Sequence, residues 1–193
     1  MQEQVQLERA QRLRRIHALS QVMKWFATVV IILFAVIAGI VAAAMFVPLA
    51  MEFVFTEALD IGDVSREIAD IPVVQRIALA LLIFLAFIIL IIATWQIREV
   101  FSHFQRREFF AAQTLSRVIS LGRWLVILGL YDFLSDPIGS LLLTIDLPAG
   151  QKEVEVSIDG GEIYFIIFGC MMILFGWIMR EAASIEEENR QFI

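Results

Sequence analysis

The chain has 193 residues but few of those that cross-link proteins or bind metals: one cysteine, Cys170, and two histidines, His17 and His103. A lone cysteine excludes an intramolecular disulfide, and we expect Cys170 to pack as a small hydrophobe. The histidines have no ligand partners at a fixed spacing. The sequence also lacks a serine elbow, a HExxH zinc motif, a calcium-binding loop and a phosphate-binding loop. We therefore expect no enzymatic activity, no cofactor and no metal site.

Charge is missing from three long segments, residues 25–51, 77–97 and 163–179. A helix needs about 20 mostly apolar residues to cross the hydrocarbon layer of a bilayer. Hydrophobic residues make up 60% of the chain, whereas a soluble domain has about 45–50%. Each of the three segments therefore predicts a transmembrane helix.

Residues 118–138 are harder to assign, because this apolar stretch contains Arg123, Asp132 and Asp136. An arginine near the end of a span can extend its guanidinium into the headgroup region. If this stretch is a span, 12 of the 15 basic residues lie on the same side as both termini, all except Arg66, Arg76 and Lys152. This asymmetry is what the positive-inside rule requires.

The tryptophans support the same count, since each of them opens or closes one of the four apolar segments (Trp25, Trp95, Trp124 and Trp177). With four spans, all of them are expected at the same membrane interface, as in an aromatic belt. The sequence predicts an all-α membrane protein with four transmembrane helices and with N- and C-termini in the cytoplasm.

This single membrane domain, 1–193, has nine predicted segments. They are a basic cytoplasmic amphipathic helix (1–24), the first span (25–51), an outer loop (52–76), the second span (77–97), a cytoplasmic helical connection (98–117), the third span (118–138), an outer loop (139–162), the fourth span (163–179) and an acidic cytoplasmic tail (180–193). Residues 1–24 either lie on an anionic inner leaflet or lead straight into the first span.

The two outer loops are acidic and differ in pattern. In the first, Ser65 with Glu67 and Ile68 predicts a short helix that ends before Pro72. In the second, apolar and polar residues alternate over 153–158, which is typical of a strand. A short β-hairpin with residues 141–146 would give that strand a partner. The acidity itself is explained by a solvated face and needs no bound cation.

The inner connection is basic and the C-terminal tail is acidic, and both are expected on the cytoplasmic side. We expect the second span to continue as a helix, turn near residues 106–108 and re-enter the bilayer as the third span. Pairing between the connection and the tail is a hypothesis for a cytoplasmic interaction surface; its residues are Arg106, Arg107, Glu186, Glu187 and Glu188. Exposed ion pairs contribute only about 0–1 kcal/mol each, so such pairing would set register rather than stability.

Asp132, Asp136 and Arg123 are the candidate intramembrane ionisable site. The favoured interpretation is an ordinary helix end, with Pro137 stopping the third span directly after Asp136. The alternative is a proton or cation relay, because an ionisable group deep in a bilayer marks function by default and broken helices surround transported ions. Two glycine pairs at a seven-residue spacing, Gly122/Gly129 and Gly169/Gly176, and the stretch Ala35-Gly39-Ala43 predict close helix packing.

Residues 101–122, with the pattern F-x-x-F…FF-x-x-Q-T-L-S-R-V-I-S-L-G, and the ending A-S-I-E-E-E-N-R-Q-F-I at 183–193 resemble a bacterial membrane family called "domain of unknown function 2975". The chain departs from the family pattern at Arg107-Glu108, where many members have a glycine ahead of the loop aromatic. The resemblance implies a four-helix protein of the bacterial inner (plasma) membrane. It implies no activity, and it suggests a small helix-turn-helix regulator as a cytoplasmic partner.

We therefore expect a non-enzymatic bacterial integral membrane protein that binds a partner or acts as a signalling or regulatory component. The alternative is a small ion or solute channel or transporter, alone or as a homo-oligomer. The lipid bilayer is the one partner that composition demands. The N-terminal arginines match no nucleic-acid-binding motif, so no direct contact with nucleic acid is expected.

Overall fold

The computed structural model describes residues 2–47, 59–61, 64–67, 70–106, 111–148, 152, 154–156 and 160–191. Over these residues the chain forms four α-helices: α1 Gln2–Ala44, α2 Val73–Gln105, α3 Ala112–Thr144 and α4 Gly161–Gln191. Two three-residue strands, β1 Leu59–Ile61 and β2 Val64–Arg66, pair antiparallel between α1 and α2. The prediction of a helical protein with four membrane-length helices is confirmed.

All four helices expose large apolar side chains among their described residues. In the most apolar window of each helix, only 11–22% of the residues are buried inside the protein. Large hydrophobic side chains such as Trp25, Val29 and Leu81 are more than half exposed. In water this surface would cost roughly 25 cal/mol per Å², whereas lipid covers it, and a helix satisfies its own backbone hydrogen bonds. The chain is therefore a multi-pass membrane protein.

The first helix follows one of the two alternatives predicted for residues 1–24 and ends earlier than its predicted bound. It begins at Gln2 and continues without a break past residue 24, so the N-terminal segment leads straight into the first apolar run. It ends at Ala44, whereas the predicted span extended to residue 51, and a turn follows in which the Val47 N–H donates to the Ala43 carbonyl at 2.9 Å. Pro48 explains this end, because the residue before a proline is disfavoured in the helical region.

Pro137 does not end α3, and the predicted helix stop is wrong. The helix continues through the proline to Thr144. The Ser140 hydroxyl donates to the Pro137 carbonyl at 3.1 Å, and the Thr144 hydroxyl donates to the Ser140 carbonyl at 2.9 Å. Both hydroxyls add side-chain hydrogen bonds to carbonyls in the turns after the proline. Neither bond reaches the Phe133 carbonyl, whose helical partner would have been the missing N–H of Pro137.

The predicted hairpin in the second outer loop is also wrong. Residues 141–144, its first strand, belong to α3, and residues 154–156 form no strand. The two-stranded pairing lies in the first outer loop instead, where a short helix was predicted around Ser65. Asp60 pairs with Ser65 there. Alternation over a few residues is a weak indicator of a strand. Here most of the segment that was predicted to pair with it continues α3 as a helix.

The described chain divides into two compact units. The terminal unit comprises Met1–Ile32, Ile92–Leu125 and Ile167–Ile193, and the loop unit comprises Leu33–Ile91 and Val126–Ile166. In the loop unit, a buried cluster joins the end of α1 to α2 and α3; its members are Met45, Ile71, Leu79 and Leu143. The rings of Phe34 and Phe87 lie 6.3 Å apart and join α1 to α2.

In the terminal unit, Arg98 of α2 makes polar contacts with α1 and with neighbours on its own helix. Its Nε donates to the Thr28 hydroxyl of α1 at 3.1 Å, its Nη1 lies 3.2 Å from the Glu99 carboxylate, and its guanidinium stacks 4.9 Å from the Trp95 ring centroid. Further along, the Arg117 guanidinium of α3 donates to the Gln96 amide oxygen at 3.4 Å. These polar contacts set the register of α1, α2 and α3 within this unit.

Three of the predicted small-residue contacts are confirmed. A Cβ added to Gly122 would lie 2.6 Å from the Gly169 carbonyl oxygen, and one added to Gly129 would lie 2.6 Å from the Glu162 carbonyl oxygen. A Cβ on Gly176 would overlap the side chain of Ile119. Glycine thus permits close contact of α3 with α4 in each unit. Gly39 behaves differently, because nothing lies within 4 Å of its added Cβ.

Candidate functional site

One contact fixes α2 against α3 in the loop unit. The Tyr131 hydroxyl of α3 donates to the Leu82 carbonyl of α2. Leu82 lies in the uncharged stretch of α2, six residues from Arg76 and sixteen from Arg98. Because a helix rises about 1.5 Å per residue, the Leu82 carbonyl that accepts from Tyr131 lies about 9 Å along α2 from Arg76. The contact therefore lies nearer the Arg76 end of α2 than its middle.

A groove with a volume of about 460 Å³ lies between these helices, and we name it the acidic groove. Its wall on α2 is apolar. Its wall on α3 carries hydroxyl and carboxyl groups, with one more carboxyl group from the second outer loop. The lining residues are Leu79, Leu82, Ile83, Ala86, Tyr131, Asp132, Ser135, Asp136, Gly139, Ser140, Leu143 and Glu155. This volume lies within the range of about 300–1,000 Å³ typical of small-molecule sites.

The polar wall follows from helical spacing. Ser135 and Asp136 follow Asp132 by three and four residues, and Ser140 follows Asp136 by four, so α3 presents them on one face. Gly139 lies on the same face and has only the Leu82 methyl group near its missing Cβ, at 3.8 Å. A larger side chain there would project toward Leu82, so glycine keeps this part of the groove open.

Glu155 reaches the groove from the second outer loop. Its backbone N–H donates to the Ser140 hydroxyl at 3.0 Å, and the same hydroxyl donates to the Pro137 carbonyl. Ser140 is almost fully buried. The hydroxyl thus joins the loop to α3 and holds a third carboxylate at the groove.

The groove suits an organic cation better than a compact metal ion. Its lining holds three carboxylates and no basic side chain. They occupy successive turns of α3 and the loop beyond it, and no group of three potential ligands in the described part of the chain converges on a metal position. The three carboxylates provide separated negative charges, and the apolar wall on α2 provides a surface that the hydrocarbon part of a ligand can contact.

The predicted site residues have different outcomes. Asp132 and Asp136 both line the groove, Asp132 exposed and Asp136 half-buried. Arg123 is exposed and does not line it.

The predicted cytoplasmic ion pairing stays a prediction. Arg106 is exposed in the turn after α2, and Arg107 lies outside the described residues. Glu186, Glu187 and Glu188 are exposed near the end of α4.

Sequence reasoning missed several lining residues: Tyr131, Ser135, Ser140 and Glu155. For Ser135 and Ser140 a signal was present, since D-x-x-S-D-x-x-x-S over residues 132–140 puts every polar group on one helical face. The expected stop at Pro137 concealed it. Glu155 had no such signal, because its place depends on how the second outer loop folds against α3.

Comparisons with protein-family models, with curated proteins and with solved structures return no match. The resemblance to domain of unknown function 2975 stays a prediction.

Removing the Tyr131 hydroxyl tests whether its hydrogen bond holds α2 against α3 beside the groove. Tyr131→Phe deletes the bond to the Leu82 carbonyl and keeps the ring. Side-chain hydrogen bonds between membrane helices contribute about 0.6 kcal/mol on average and up to about 1.7. We therefore expect the thermal midpoint in detergent to fall by about 1–2 °C for a bond of average strength and by up to about 7 °C for the strongest.

Tyr164→Phe is the matched control for this change, because Tyr164 is 75% exposed. Its midpoint should equal that of the wild type. Equal midpoints for both variants would show that the Tyr131 hydroxyl does not hold α2 against α3.

Proposed function

We propose that the protein is a non-enzymatic, multi-pass component of the bacterial inner membrane that binds a positively charged organic ligand in the acidic groove. Ligand binding at the outer side would be its input as a receptor or regulatory component. The observation that carries this proposal is the juxtaposition of three carboxylates with an apolar wall in one groove.

The charge distribution supports the orientation. With both termini in the cytoplasm, the basic residues outside are Arg66, Arg76 and Lys152, and the other 12 of 15 are inside. Positive-inside bias of this size sets the orientation of membrane proteins. The groove lies toward the Arg76 end of α2, so this orientation opens it to the outer side.

The ligand's chemistry follows from the lining. A carboxylate favours a cationic group, and a hydrogen bond to a charged group stabilises by about 1.5–3 kcal/mol. Leu79, Ile83 and Leu143 offer an aliphatic surface beside the acids. An ammonium or guanidinium group joined to a hydrocarbon body would use both walls.

Binding is favoured over catalysis because the groove lining contains no histidine, cysteine or lysine. Its serines bond to backbone groups: Ser135 donates to the Asp132 carbonyl, and Ser140 to the Pro137 carbonyl. Neither hydroxyl is paired with a general base that would activate it as a nucleophile.

A carrier or channel is the second candidate, supported by the place of Asp132 in the groove. An acidic side chain that lines a groove beside the uncharged part of a membrane helix is typical of ion and substrate pathways. Cation flux into vesicles reconstituted with the wild type and with Asp132→Asn distinguishes the two. Flux that the substitution abolishes would make the protein a transporter, and no flux from either would leave it a receptor.

The ligand class can be measured directly. We expect purified protein in zwitterionic nanodiscs to bind hexylammonium saturably in titration calorimetry, with little binding of hexanesulfonate, which has the same chain and the opposite charge. Calcium tests the metal alternative in the same format. Equal binding of both amphiphiles, or tight binding of calcium alone, would contradict the proposal.

The cytoplasmic ends would then carry the output. The exposed Arg106 and the exposed carboxylates of Glu186, Glu187 and Glu188 are the proposed contact surface for a protein partner. A second copy of this chain and a small helix-turn-helix regulator are the two forms we propose for it. Cross-linking in native membranes followed by co-purification identifies which protein is bound.

A further inference from the structure

A second cavity, of about 260 Å³, lies in the terminal unit. Four of its lining residues, His17, Gln21, Lys24 and Trp25, belong to α1, and the fifth is Gln105, the last residue of α2. We name it the cationic pocket. Its lining contains a lysine, a histidine and two amides but no carboxylate, so its polar character is opposite to that of the acidic groove.

The α1 side of the pocket is one helical face. His17, Gln21 and Lys24 follow at intervals of four and three residues, and the exposed Arg14 comes three residues before His17. Lys24 is half-buried, and its Nζ donates to the Gln105 amide oxygen at 3.5 Å. This contact turns the Gln105 amide nitrogen away from Lys24 and leaves it as a second donor. The pocket thus combines the ammonium group of Lys24, which is hydrogen-bonded to Gln105, with amide N–H donors.

The depth of the pocket identifies what reaches it. Trp25 is the first residue of the uncharged run of α1. At 1.5 Å per residue, Gln21 lies about 6 Å and His17 about 12 Å before Trp25. The headgroup region on each side of the hydrocarbon is roughly 5–8 Å thick. The pocket therefore lies where phospholipid phosphates lie, and Trp25, 65% exposed, has the position of an interfacial anchor.

We infer that the cationic pocket binds the phosphodiester of an anionic phospholipid. Lys24 supplies the charge, the amides of Gln21 and Gln105 donate to phosphate oxygens, and the Trp25 ring packs against the glycerol and the first acyl carbons. This site is independent of the acidic groove, and it adds a specific lipid to the general attraction between basic segments and anionic leaflets.

The test uses the full-length protein in detergent with dihexanoyl phosphatidylglycerol, dihexanoyl phosphatidylcholine and inorganic phosphate as separate probes. Microscale thermophoresis gives each dissociation constant. We expect phosphatidylglycerol to bind more tightly than phosphatidylcholine and inorganic phosphate to compete only weakly. Lys24→Gln should weaken the phosphatidylglycerol affinity about five-fold, the effect of one basic residue near an anionic surface.

Lys152→Gln is the matched control, since this exposed lysine lies in the second outer loop, and it should bind as the wild type does. Gln21→Trp keeps every charge and fills the pocket, so it should abolish the preference for phosphatidylglycerol. An unchanged preference in both Lys24→Gln and Gln21→Trp would overturn the inference. Competition by inorganic phosphate at the lipid's own concentration would overturn it as well, because the ligand would then be free phosphate.

Discussion

Replacing Gly122 with alanine should lower the thermal midpoint of the purified protein by several degrees. The added Cβ would lie 2.6 Å from the Gly169 carbonyl oxygen and 2.9 Å from the Ile173 backbone nitrogen. These atoms belong to the backbone of α4 and cannot rotate away, so the two helices must separate. Overpacking of this kind costs about 1–3 kcal/mol, and a chain of this size loses about 2–4 °C per kcal/mol.

Gly39→Ala is the matched control, because nothing lies within 4 Å of its added Cβ. Alanine is a better helix former than glycine by about 1 kcal/mol, so this variant should melt slightly above the wild type. The two glycine-to-alanine substitutions are thus expected to shift the thermal midpoint in opposite directions. Two variants that both melt as the wild type does would show that α3 and α4 are not in close contact at Gly122.

Replacing Asp132 and Asp136 together with asparagine should nearly abolish binding of hexylammonium. Both carboxylates line the acidic groove, and asparagine preserves their shape while removing the charge. A hydrogen bond to a charged group stabilises by about 1.5–3 kcal/mol, so each single variant should weaken binding about ten-fold and the double variant about a hundred-fold. Titration calorimetry in zwitterionic nanodiscs gives these ratios.

The control removes two carboxylates from elsewhere, as Glu187→Gln with Glu188→Gln. Both residues are exposed near the end of α4, so the change in net charge is equal and the groove is intact. This variant should bind the probe as the wild type does. If it lost affinity as strongly as the groove variant, net charge rather than the groove would account for binding.

The length of the uncharged segments was the sequence feature that predicted the helices reliably. The three uncharged runs predicted three helices, and partition of the basic residues predicted the fourth although Asp132 and Asp136 interrupt it. These features follow from the cost of charge and of unpaired backbone groups in hydrocarbon, which applies along the whole helix. Length and composition therefore sufficed to predict the helices.

The helix ends and the groove were harder to predict, because they depend on local partners. Pro137 is a helix breaker in isolation, yet α3 continues through it to Thr144. Asp132 and Asp136 were candidates from their depth. Glu155 required the fold of the second outer loop, which brings its backbone to Ser140. Contacts between distant segments leave little trace in a single sequence.

Labelling of single cysteines in intact cells tests the proposed orientation most directly. With Cys170 replaced by alanine, the chain has no other cysteine, so Lys152→Cys and Glu187→Cys each report one exposed position. With a membrane-impermeant maleimide, we predict labelling of Lys152→Cys in intact cells and of Glu187→Cys only after the membrane is permeabilised. Labelling of Glu187→Cys in intact cells would contradict a cytoplasmic C-terminus and an acidic groove that opens to the outer side.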